Sequence, residues 1–243
     1  MHRVLAASLA CLPLVAAGCA DGPVPELRTL NPWVRRQWDA DERAIATYHR
    51  KVADLAALRA QAARLPAEQA EPLAAQLAAG LQAETAPVLR AELARTLGEL
   101  PTPAARSALQ AALTDEAPNV RIAACQALAR HPAPEAVEPL AHAVSADADL
   151  DVRIAAADAL GKFAAAGLPA EEYKRLAQSL RPALDDRDPA LQTAAMQSLA
   201  AITGRDNFRN DLNTWRQYLD GANPAPPPPP TVAELVQRSL NWY

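Results

Sequence analysis

Two stretches of the chain carry the same five residues. "NVRIAACQALA" begins at Asn119 and "DVRIAAADALG" at Asp151, so that V-R-I-A-A is written from Val120 and again from Val152. An internal repeat constrains a fold more tightly than composition does, because each copy builds the same local unit and the units must then pack on one another. Four windows align on this string: "PVLRAELARTLG" from Pro87, "PNVRIAACQALA" from Pro118, "LDVRIAAADALG" from Leu150 and "PALQTAAMQSLA" from Pro189. Their fourth residues are Arg90, Arg121, Arg153 and Gln192, at spacings of 31, 32 and 39. The last gap is longer because "AAAGLPAEEYKRLAQSL" extends a turn and a helix.

The residue types decide what each unit is. Ala, Leu, Arg, Glu and Gln dominate, all good helix formers, while aromatics make up 4% of the chain and Gly only 8 residues. Such a chain is all-α. Between the windows lie "TPAARSALQAAL", "APEAVEPLAHAV" and "PAEEYKRLAQSLRPAL", with "PAEQAEPLAAQLAAGL" ahead of the first. Each carries Pro near its first turn, where a missing N–H is harmless. The unit is therefore helix, short turn, helix. In register, Leu97, Leu128, Leu160 and Leu199 form one apolar column, Leu93, Ala124, Ala156 and Ala195 a second, and Ala94, Cys125, Ala157 and Met196 a third. Columns three and four residues apart give each helix a wide apolar stripe. No single pair buries all of it, so neighbours must stack into a short α-solenoid, or superhelix. The repeated Arg is expected to pair with a loop carboxylate of its own or a neighbouring unit. Asp115, Asp149 or Asp151, and Asp186 or Asp188 stand where carboxylates cap the second helix of each pair.

From Pro66 to Gly204 this pattern resembles the HEAT repeat, in the bacterial type named for its occurrence in phycobilisome lyases. The middle units match best, and the fourth departs at Gln192. The resemblance implies that the second helices line a concave face. Arg95, Gln126, Asp158 and Gln197 form a polar column there, followed one turn on by Glu99, Arg130 and Lys162. These seven residues are the candidate partner-binding surface.

The ends differ from the middle. Trp33, Trp38 and Tyr48 precede the repeats, and Phe208, Trp215, Tyr218, Trp242 and Tyr243 follow them. Large aromatics suit end caps that close an open stack. Asp39 and Glu42 read as a capping box for an N-capping helix over 39–65. The solenoid with its C-terminal cap then occupies 66–220, and "NPAPPPPPT" makes 221–230 a stiff spacer. Thr231 and Glu234 open a short amphipathic helix over 231–243. Val232, Leu235, Val236 and Leu240 line one face of it, and with Trp242 they form a candidate docking set. Its seat is either the solenoid or another protein, and the rigid spacer favours a partner.

The first residues address the compartment. His2 and Arg3 precede a short apolar run from Val4 to Ala17, too short for the ~20 residues that span a bilayer. Residues 1–18 therefore read as a secretory signal and 19–38 as a tether. Ala16-Ala17-Gly18-Cys19 resembles a bacterial lipobox, with Ala16 in place of the usual Leu. The resemblance implies lipidation at Cys19, and Ala20 after it implies outer-membrane sorting, facing the periplasm. With Cys19 lipidated and Cys11 removed, Cys125 is the remaining thiol, and it stands in a core column.

Chemistry of other kinds finds little footing. Net charge is −4 with the signs interspersed, so the basic stripe that nucleic acid demands is missing. Asp147, Asp149, Asp151 and Asp158 mimic a calcium loop, but Val152 stands where the loop needs Gly. His49, His131 and His142 have no metal-ligand spacing. No phosphate-binding, dinucleotide or hydrolase motif occurs. The expectation is an envelope scaffold or adaptor that binds proteins and is not an enzyme, without metal or cofactor. An exported repeat-built lyase or small-ligand-binding protein, and a self-associating structural component, stand as alternatives.

Overall fold

The computed structural model describes residues 32–208 and 210–223, with side chains from Thr47 onward. The chain divides into two compact units, 1–53 and 54–243. The described part of the first is helical, and the Tyr48 ring meets His49 edge-on, with centroids 5.8 Å apart. The signal, Cys19, the spacer from Pro224 onward and the docking set Val232, Leu235, Val236, Leu240 and Trp242 lie outside the described residues.

Every described element is helical. Helix α1 (Pro32–Ala62) begins with Pro as its first residue, seven residues before the expected capping box at Asp39. Four pairs follow: α2 (Ala67–Ala83) with α3 (Pro87–Leu97), α4 (Pro103–Ala112) with α5 (Pro118–Leu128), α6 (Val137–Ala146) with α7 (Leu150–Lys162), and α8 (Ala170–Ser179) and α9 (Arg181–Asp185) with α10 (Pro189–Thr203). The short α11 (Leu212–Leu219) closes the series. The first helix of the fourth pair is broken at Leu180, just before Pro182. A Pro inside a helix removes one backbone donor and crowds the preceding turn.

The second helices stack in sequence, α3 on α5, α5 on α7 and α7 on α10. Leu97, Leu128, Leu160 and Leu199 are all buried between them. Burying each such side chain contributes about 2 kcal/mol, and the column repeats that gain at every step of the stack. One close approach is at α7–α10. A Cβ on Gly161 would lie 2.6 Å from Ser198 Oγ and 3.0 Å from its Cα, and Ser198 Oγ donates to the Ala157 carbonyl at 2.9 Å. Only Gly permits that contact. Gly204, at φ 67°, ends α10 in the left-handed conformation that suits a glycine cap.

The carboxylates before the second helices divide their work. Asp149 accepts from the N–H groups of Asp151 and Val152, and Asp188 from that of Ala190, as helix caps. Asp115 does not hold the cap position before α5, which is Ala117, and instead accepts the Ala117 N–H at 2.9 Å. Thr102, which the sequence reading passed over, caps α4 by accepting from the Ala105 N–H.

The two ends are closed differently. Phe208 and Trp215 are buried, with ring centroids 4.9 Å apart, and Tyr218 meets both edge-on. The Arg205 guanidinium lies 4.8 Å from the Tyr218 ring. At the other end Ala62 is buried, and Leu55, Leu58 and Leu65 pack on the core, so aliphatic residues close that side among the described side chains.

Candidate functional site

The repeated arginine is the first residue type the structure brings together. Arg90 donates from Nε and Nη2 to the two carboxylate oxygens of Asp115 at 2.9 and 2.8 Å. Arg121 does the same to Asp147 at 2.7 Å in both bonds. In each case the carboxylate belongs to the loop of the next pair. Nη1 of the same arginine turns to its own loop, reaching the carbonyls of Thr85 at 2.9 Å and of Asp115 at 2.8 Å. Two-point bonds of this kind fix orientation as well as energy. The expectation of a loop carboxylate as partner is met, and that carboxylate is the neighbour's.

Electrostatics follow from this geometry. Burial alone would push the Asp147 carboxyl up, but the bonds from Arg121, the Asp149 N–H and the guanidinium charge hold it below the ordinary range. Asp115 is lowered by the same balance, through Arg90 and the Ala117 N–H. The bond to Asp147 in turn raises Arg121.

The ladder weakens along the chain. Arg153 approaches Asp186 only to 3.6 Å, and its buried Nε has no hydrogen-bond partner. At the fourth position Gln192 donates to the Asp186 carbonyl at 2.6 Å, keeping the bond to its own loop. Among the described residues no further helix pair follows to offer a carboxylate, and a neutral side chain stands there.

The candidate binding residues occupy the side of the second helices away from the core. Gln126, Asp158 and Gln197 are exposed at equivalent turns of α5, α7 and α10. Arg95 is half-buried and donates to Glu92 at 2.8 Å. Arg130, just past α5, reaches Glu99, just past α3, at 3.1 Å, and Lys162 is exposed at the end of α7. Burial pushes the Asp158 carboxyl up, against the pull of Lys162 one turn away.

The sequence reading missed Glu92. It holds Arg59 of α1 at 3.2 Å as well as Arg95, and its signal was available, since Ala123, Ala155 and Ala194 fill the same column. It also missed an open groove of about 400 Å³ between α2 and α4. Cys125 is buried, and burial pushes its thiol up to about 12, so it is a core residue. Among the described residues, no group of three or more His, Cys, Asp or Glu side chains is placed to hold a metal ion.

Comparisons with known proteins bear on this arrangement. A family model described as HEAT repeats matches residues 74–161. No curated protein matches the chain. The solved complex of CpcE and CpcF of phycocyanin lyase from Nostoc sp. PCC7120 is similar at 20% identity and TM-score 0.46, over 69% of this chain and 96% of that one. The expectation that this chain is not an enzyme is withdrawn, since a lyase complex stands among the solved structures it is similar to. No activity passes to this chain at such similarity. Over residues 74–161 the helix pairs are thus similar to HEAT repeats.

Proposed function

We propose that this chain is a cell-envelope protein, lipid-anchored at Cys19, whose repeats hold a partner protein against the exposed face of α3, α5, α7 and α10. One observation carries the reading. Arg95, Gln126, Asp158 and Gln197, with Arg130 and Lys162 at the edge, keep polar groups outside the core on successive stacked helices. A row of this kind suits an extended partner, which solenoids bind along consecutive repeats. Reversing both edge charges, Arg130→Glu with Lys162→Glu, is expected to weaken capture of the partner in membrane crosslinking by about tenfold or more. Undiminished capture refutes the assignment of this face. The anchor has its own test: labelled palmitate enters the protein and fails to enter Cys19→Ser.

A second reading, an exported repeat-built lyase or small-ligand-binding protein, draws on the groove between α2 and α4. Its ~400 Å³ falls within the range of small-molecule sites. This reading predicts saturable binding of a free small molecule that a blocking substitution in the groove abolishes.

A further inference from the structure

We propose that the groove between α2 and α4 seats the chain's own segment 231–243, held by Val232, Leu235, Val236 and Leu240. Ala78 and Leu81 of α2 and Ala108, Ala111 and Ala112 of α4 line a space of about 400 Å³. A cavity of ~150 Å³ holds a benzene ring, so two or three aliphatic side chains fill this one. The ionic groups along its edge are engaged with one another. Glu84 Oε1 accepts the N–H groups of Thr85 and Ala86, and Arg90 donates to both Asp115 and Glu116. The groove therefore calls for an apolar occupant rather than a charged one.

The choice of occupant follows from what the chain has to offer. Among the described residues Val88 is the one large hydrophobic side chain left exposed, so the described surface of a second copy brings no aliphatic stripe to this wall. Segment 231–243 does. Its four aliphatic residues stand at i, i+3, i+4 and i+8, one face of a helix, behind the capping box of Thr231 and Glu234. A helix this short is marginal alone and gains its stability by docking.

The sequence reading favours a partner protein as the seat, but the point where the chain leaves the solenoid favours the solenoid itself. Gln178 of α8 donates to the Leu219 carbonyl at 2.6 Å, and Arg181 of α9 to the Asp220 carboxylate at 2.5 Å. The end of α11 thus lies on the first helix of the fourth pair, in the layer to which α2 and α4 belong. It also lies at the same edge. Arg216 bonds Asp185 at 2.9 Å, beside the loop joining α9 to α10, and Glu84, Asp115 and Glu116 in the corresponding loops line the groove. Stacked helices lie about 8–10 Å apart, so two and a half steps back from the fourth pair come to roughly 25 Å. The spacer rises ~3.1 Å per residue, and from Asn223 to Thr231 it covers about the same distance.

The test is crosslinking of the full chain with a short bismaleimide, with Cys11 and Cys19 replaced by Ser and the native Cys125 buried. Ala111→Cys with Leu235→Cys is expected to join within one chain about tenfold faster than Lys174→Cys with Leu235→Cys. Ala111 and Lys174 are both exposed, and Lys174 stands on α8, close to where the spacer leaves. Adding Val232→Asp and Leu240→Asp should slow the Ala111 reaction about tenfold, with circular dichroism of the solenoid unchanged. Equal rates at the two positions, or a rate that the two Asp substitutions do not move, overturns the inference. A product that is a covalent dimer overturns it in favour of a second copy as the source of the segment. None of the variants touches the exposed row, so this result and the capture by Arg130→Glu with Lys162→Glu fail independently.

Discussion

If the arginine ladder holds the pairs together, its rungs must differ in strength in a way set by their geometry. The perturbation is a double-mutant cycle at Arg121 and Asp147, repeated at Arg153 and Asp186. In the first rung two N–H groups meet two carboxylate oxygens at 2.7 Å, and the side chains retain only 12% and 9% exposure. Removing either partner strands the other in a largely dry site, at about 3 kcal/mol for Asp147→Ala and about 3 kcal/mol for Arg121→Ala. The double variant strands nothing and is expected to lose about 4 kcal/mol, which leaves a coupling of about 2 kcal/mol. The bond from the Asp149 N–H to Asp147 at 2.9 Å is lost in both the single and the double variant, so it cancels from the coupling. In the second rung one contact stands at 3.6 Å and Nε has no acceptor. Its coupling should fall to about 0.5 kcal/mol, the range of an ordinary surface pair. Urea unfolding followed by circular dichroism at neutral pH measures all seven proteins, with constant m-values confirming a common unfolded state. A coupling below about 0.5 kcal/mol at Arg121–Asp147, or one at Arg153–Asp186 that equals it, refutes the ladder as the source of that stability.

Other outcomes follow from the same structure. Gly161→Ala drives a Cβ into Ser198 and its backbone; overpacking of this kind costs about 1–3 kcal/mol, visible as a lower melting temperature, whereas Gly204→Ala meets no atom and pays only for its positive φ. Asp115 and Asp147 have carboxyls lowered by folding, so the stability they contribute is fully present above the unfolded Asp value near pH ~3.9 and is lost as pH falls through the lower folded values. Asp147→Asn should flatten that acid limb, and an unchanged limb in an acid titration of stability counts against the pairing. Cys125, with its thiol pushed up to about 12, should resist iodoacetamide in the folded protein and react once urea unfolds it; labelling in native buffer would contradict its place in the core.

The repeat itself was legible because it is written in residue types that allow one local structure. V-R-I-A-A and its relatives combine strong helix formers with apolar spacing of three and four, so the pairs and their stacking follow from periodicity. The column of Leu97, Leu128, Leu160 and Leu199 is buried as its register requires. The departure at Gln192 was equally visible, although its bond to the Asp186 carbonyl was not, because that contact is a property of the assembled stack.

What the sequence alone determined is the all-α repeat, its helix pairs and the buried identity of Cys125. Each depends on neighbours a few residues away or on a column repeated at a constant interval. Tertiary structure decided which loop each arginine answers and which rung is slack. Asp115 and Asp149 look alike as residues before a helix, yet one accepts the arginine of the preceding pair and the other caps its own helix. Such assignments depend on the angle and separation between pairs. Less than an ångström, 2.7 against 3.6 Å, divides a two-point bond from a single long contact, and local propensity carries no information at that scale.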